Sequence, residues 1–166
     1  MAGLADAVRR LFPAFLACFL VLFDFLPAGQ PLFAERAPLL GLMAVYYWSL
    51  YRPELLPQWL TFGLGLLSDA LSGGPLGAMA LVFLGVRTVC IDQRKMLLQG
   101  SFAASWLGFA AVAASALALL WLLVALVFGA LIDPRPALWQ LAVSVALYPS
   151  FVWLLNRFER LLPQPA

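Results

Sequence analysis

Residues 59–77 read WLTFGLGLLSDALSGGPLG, two apolar legs joined by a turn so short that they must form an antiparallel helical hairpin. Gly73 and Gly74 supply the left-handed residue that ends a helix, and Pro75 suits the first turn of the next one. Asp69 is the acid of this hairpin and lies close to its tip. A water-soluble helical hairpin carries a polar face along each leg, and these legs have none, so lipid is their natural solvent. An ionisable side chain in such a leg is costly at mid-membrane and marks a functional site by default, but near a helix end the cost is much smaller. A chemical role and a structural role for Asp69 therefore both stand. A bulky residue at Gly73 or Gly74 is expected to cost more folded protein than Asp69→Asn, because the turn needs positive φ at one of these glycines.

The rest of the chain agrees with the hairpin. Of its 166 residues, 64% are hydrophobic and 11% charged, against roughly half and a quarter in soluble domains, which places it among integral membrane proteins. The net charge of +2 is too small and too dispersed for a nucleic-acid surface. The chain has no histidine, which removes His-ligated metals, Ser-His-Asp hydrolysis and histidine proton relays together. Cys18 and Cys90 both fall in apolar runs without partner spacing and read as core thiols, so neither a zinc site nor a disulfide is indicated. No metal or cofactor is expected. Arg9 and Arg10 precede an apolar run in the manner of a signal peptide, yet all that follows is apolar too, so a retained first helix is expected.

Charges, prolines and glycines divide the chain into six apolar spans: 11–26, 37–51, 57–71, 75–91, 102–132 and 137–155. The predicted fold is an all-α integral membrane protein, a single domain over 1–166 built as a compact bundle of six transmembrane helices. A span needs roughly 17–25 residues, so the second and third are short. The fifth, on the order of 45 Å if fully helical, must tilt, break or begin with an interfacial turn near 102–109. With six spans, Arg9, Arg10, Arg52, Arg87, Arg94, Lys95, Arg157 and Arg160 collect on one side, and Arg36 and Arg135 on the other. That asymmetry predicts both termini in the cytoplasm. Trp48, Trp59, Trp106, Trp139 and Trp153 fall where interfacial aromatic belts would lie; Trp121 does not. Ala110, Ala114 and Ala118 share one face of the fifth span, with Ala111 and Ser115 beside them, and are expected to pack internally, as are Gly63 and Gly65.

Few polar residues remain. Asp24, in LVLFDFLP, and Asp69 would share one outer-leaflet level near Arg36, either as an ion, proton or ligand site or as structural groups at helix ends. Arg87 is expected to reach back to the inner face. At that face YYWSLYRPELLPQW crowds Tyr46, Tyr47, Trp48 and Tyr51, then breaks the helix at Arg52 and Pro53. It reads as an interfacial anchor with a tight turn, or as a contact for another protein.

Together the two segments resemble the signature region of the rod shape-determining protein MreD family. Tyr47, Trp48, Arg52 and Pro53 match its Tyr-Trp-x-x-x-Arg-Pro segment. Gly65, Leu66, Leu67, Asp69, Leu71, Gly73, Pro75, Leu76 and Gly77 match its hairpin, and Leu147, Tyr148 and Pro149 are similar to a carboxy-terminal feature. The resemblance implies a non-enzymatic component of the elongation machinery that builds side-wall peptidoglycan, in the inner membrane of rod-shaped bacteria. It implies as partners the single-span protein MreC, the actin-like MreB, and the synthase pair of RodA and its transpeptidase. It also implies a fold similar to the substrate-binding subunits of energy-coupling-factor transporters.

Two functions compete. A membrane scaffold would offer lipid-facing helices to a single-span partner and a basic inner face to cytoplasmic proteins; the sequence has no nucleophile–base pair, phosphate loop or metal set that would argue otherwise. A small-molecule-binding transporter subunit would close a pocket near Asp24 and Asp69, but the outer loops carry few polar groups to orient a ligand.

Overall fold

The computed structural model describes residues 2–25, 38–73, 75–99, 102–129 and 133–161, with side chains for 13–25, 38–73, 75–98, 102–129 and 133–157. Every regular element among them is an α-helix: α1 Ala2–Asp24, α2 Leu40–Tyr51, α3 Gln58–Ser72, α4 Ala78–Asp92, α5 Arg94–Gln99, α6 Phe102–Phe128 and α7 Arg135–Leu161. The described parts of the six expected apolar runs are largely helical, but α4 starts at Ala78, so Pro75, expected in its first turn, lies before the helix and Gly77 takes the N-cap. α1 begins nine residues before its apolar run, and α5 forms within what the sequence suggested was an inner loop. α6 is unbroken from Phe102, and Gly129, at φ 63°, turns the chain at its end. Two of the helices, Phe102–Phe128 and Arg135–Arg157, are long and apolar enough to cross a membrane.

α2 is the axis of the fold. Its sequence, LGLMAVYYWSLY, is apolar around the whole circumference, and such a helix is stable only when covered on all sides. Residues 41–50 are all buried, with α1, α4 and α7 among the helices packed around them. Tyr46, Phe109 and Tyr148 knit α2, α6 and α7 together: Phe109 stacks on Tyr148 at 4.3 Å between ring centroids, and Tyr46 meets both edge-on. Tyr47 and Trp48, expected at the membrane interface, are part of this interior instead. Ring area that could anchor a helix at a headgroup serves equally well as core when the helix is central.

The α3–α4 hairpin is packed more closely than any side chain would permit. A Cβ on Gly65 would lie 2.6 Å from the Ala80 amide nitrogen and closer still to its Cα, so the two backbones touch where Gly65 sits. Gly63, two residues away, has open space around it and is exposed, so only one of the two glycines serves packing. The alanine stripe of α6 is also turned the other way. Ser105, Phe109, Val112, Ala113, Ala116 and Leu117 form the buried face, while Ala111, Ala114, Ser115 and Ala118 are exposed.

Candidate functional site

Several polar side chains of the interior act at helix ends. An α-helix leaves its first N–H and last C=O groups without partners, and away from water each one left bare costs a lost hydrogen bond. In α4 these donors converge on Asp69 of the neighbouring leg. Its Oδ2 accepts from Gly77 N at 2.8 Å and from Ala80 N at 3.4 Å, and its Oδ1 accepts from Met79 N at 2.9 Å. The remaining donor of that turn, Ala78 N, bonds the Pro75 carbonyl. Gly77, at φ 98°, provides the positive-φ bend that brings its own N–H onto the carboxylate, and Gly73, at φ 66°, ends α3 in the left-handed conformation. Asp69 itself is 3% exposed.

Asp24 does the same for α2. Its two oxygens accept from Leu40 N at 3.0 Å and Gly41 N at 2.8 Å, and the preceding donor, Leu39 N, bonds Ser144 Oγ of α7 at 2.9 Å. Gly41 permits the approach, since a Cβ there would lie 2.8 Å from Val21 Cγ2 and 3.2 Å from Asp24 Oδ2. A carboxylate at a helix N-terminus also gains from the helix dipole. Asp24 lies at the end of α1 and Asp69 near the end of α3, and each caps the helix that follows its own. Arg36 and Gly74 lie outside the described residues.

At the opposite end arginines take the complementary role. Arg94 Nε donates to the Leu50 carbonyl at 2.9 Å and its Nη2 to Tyr51 O at 3.3 Å, the carbonyls freed where α2 stops at Arg52 and Pro53. Arg87 Nε donates to Leu56 O at 2.9 Å, in the connection between α2 and α3, where it binds backbone. Tyr47 Oη donates to Asn156 Oδ1 at 2.7 Å and Tyr46 Oη to the Ser105 carbonyl at 3.0 Å. Arg52 and Pro53 are half-buried. α2 is therefore held at its N-terminus by α1 and α7 and at its C-terminus by α5, so side chains of three other helices meet end groups that a helix of 12 residues would otherwise leave to an apolar surrounding.

One functional residue of this kind escaped the sequence reading. Pro149 lies inside α7 and has no N–H for the carbonyl four residues before it, Val145. Trp106 of α6 donates its indole Nε1–H to that same carbonyl at 2.9 Å. What was expected to be a belt residue thus mends the break that proline makes. The proline was the legible signal, since its orphaned carbonyl required some donor.

A chain whose described residues form helices alone, two of them of membrane length, and with large side chains such as Phe15, Trp59, Leu76 and Leu126 exposed on its outside, is a helical membrane protein in class. The chain belongs to the rod shape-determining protein MreD family, whose match covers residues 8–158. That family is one of membrane proteins acting in rod-shape determination. No curated protein and no solved structure gives a significant match.

Proposed function

We propose that this protein is a non-catalytic scaffold of the cell-elongation complex, a six-span bundle in the bacterial inner membrane with both termini cytoplasmic. It binds an MreC-like single-span protein through its lipid-facing helices and, through MreB and the RodA–transpeptidase synthase, helps control side-wall peptidoglycan synthesis. The observation that carries this reading is the use of the two interior acids: the oxygens of Asp24 and Asp69 accept from the backbone of α2 and α4, which is the work of a frame. Family membership supports the cellular role. The eight-to-two distribution of basic residues supports the orientation. A bundle arranged like the substrate-binding subunits of energy-coupling-factor transporters fits a central α2 wrapped by its neighbours, with α5 lying along the inner face.

Recognition between helices in lipid rests on packing and a few hydrogen bonds. A large side chain placed at Gly63 or Ala111, or removed at Phe19, one change at a time on exposed faces, tests the reading by recovery of the single-span partner from membranes. At least one such variant is expected to keep its folded yield and lose the partner. Partner recovery unchanged across every exposed face would count against a lipid-facing contact.

A further inference from the structure

A groove of about 300 Å³ opens on the outside of the bundle between the second half of α6 and the first turns of α7. Ala114, Ala118 and Trp121 line one wall and Pro134, Ala137, Leu138 and Leu141 the other, with buried Leu117 as its floor. Its lining is apolar throughout, so in a bilayer it faces acyl chains. We propose that this groove holds one acyl chain of a phospholipid whose phosphate lies beside Arg135.

The dimensions select the occupant. A water and a methylene each take about 30 Å³, so the groove accommodates on the order of ten methylenes. From Ala114 to Trp121, and from Pro134 to Leu141, is seven residues, which is about 10 Å of helix. That is a single chain threaded along the groove. A helix is about 10 Å across and would need more than twice that volume over the same length. The charge points the same way. Arg135 is exposed and directly follows Pro134 at the mouth, where the groove meets the end of the bundle. The neighbouring acid, Asp133, accepts from the Arg135 backbone N–H at 3.0 Å and so is tied to the start of α7. A guanidinium beside such a groove pairs with a lipid phosphate through charge-assisted hydrogen bonds. The small side chains at Ala114, Ala118 and Ala137 are what make the space, and no helix among the described residues fills it.

This inference rests on the reading that the helices lie in a bilayer, but not on the scaffold role. The test uses the full chain, stripped of lipid in detergent, titrated with phosphatidylglycerol and read by native mass spectrometry. A saturable one-to-one adduct is expected, with diacylglycerol, which has no phosphate, bound more weakly. Ala118→Trp puts an indole into the groove; the room of about four methylenes lost weakens retention about a hundredfold. Ala114→Trp repeats the test should the first variant fold poorly, and Gly63→Trp on open α3 is the control that keeps the adduct. Arg135→Gln is expected to abolish the preference for phosphatidylglycerol over diacylglycerol. Equal adducts in all variants would overturn the proposal. So would a lipid adduct unchanged by Ala118→Trp while a co-purified single-span protein is lost, since the groove would then be a protein seat. Failure of partner recovery alone, with the adduct behaving as expected, would count against the scaffold reading and leave the lipid site standing.

Discussion

Asp69→Ala removes the carboxylate that gathers the first turn of α4. Two of its bonds are short, from Gly77 N at 2.8 Å and Met79 N at 2.9 Å, and hydrogen bonds to a charged group contribute about 1.5–3 kcal/mol each. Summed, that is about 3–6 kcal/mol, and the lower end applies because Gly77 and Met79 are half-buried, so water can replace part of the loss. Asp69→Asn keeps the size and one acceptor oxygen, but turns an NH₂ toward N–H donors, so about half the effect is expected. Gly73→Leu has open space for its side chain and costs only the left-handed conformation, about 1–2 kcal/mol. The expected order of destabilisation is therefore Asp69→Ala first, with Asp69→Asn and Gly73→Leu smaller and similar. This revises the expectation from sequence, which put the glycine change above Asp69→Asn. Thermal melting in detergent, followed by size-exclusion fluorescence, reads the order. Asp69→Ala melting within a degree or so of wild type, or above Gly73→Leu, would refute the capping argument.

Gly65→Ala should be strongly destabilising because its Cβ meets the Ala80 backbone, whereas Gly63→Ala should be neutral or stabilising by up to about 1 kcal/mol through helix propensity; comparable melting shifts for the pair would contradict the packing described. Trp106→Phe is expected to cost about 1–2 kcal/mol by stranding the Val145 carbonyl, and Pro149→Ala, which restores an N–H four residues on, should suppress most of that loss in the double variant. Additive effects would exclude the proposed compensation. Arg94→Met should lower the melting temperature by releasing the Leu50 and Tyr51 carbonyls, while Lys95→Met, one residue on and exposed, should not. Cysteines introduced near each terminus should be shielded from impermeant reagents added outside intact cells, and outside labelling of either end would reverse the orientation.

The hairpin was the most legible part of the fold because all its signals are local. Gly73 closing α3 and Asp69 close to the tip can be read within a dozen residues, although Pro75, expected in the first turn of the next helix, lies three residues before it. What Asp69 binds was not legible, because a carboxylate in an apolar leg looks the same whether it faces a ligand or a backbone turn. The partners of Asp24 and Arg94 lie 16 and 44 residues away, and only the packing of α1 and α5 against α2 brings them together. The tyrosines of α2 misled for a related reason: aromatic residues at the end of an apolar run suit an interface, and only the all-round apolar character of α2 says that it is interior. The small residues of α6 could be grouped on a face from their spacing, but not assigned to inside or outside. Small side chains permit close approach without saying to what.

The most direct test of the central claim is gentle purification of the intact protein from native membranes, with mass spectrometry of everything retained on it. The account predicts a single-span membrane protein recovered in constant proportion, together with components of the wall-synthesis machinery, and no saturable binding of a vitamin-sized ligand. A protein that arrives alone in every mild detergent, yet binds such a ligand with saturation, would contradict the scaffold and make the chain a transporter subunit.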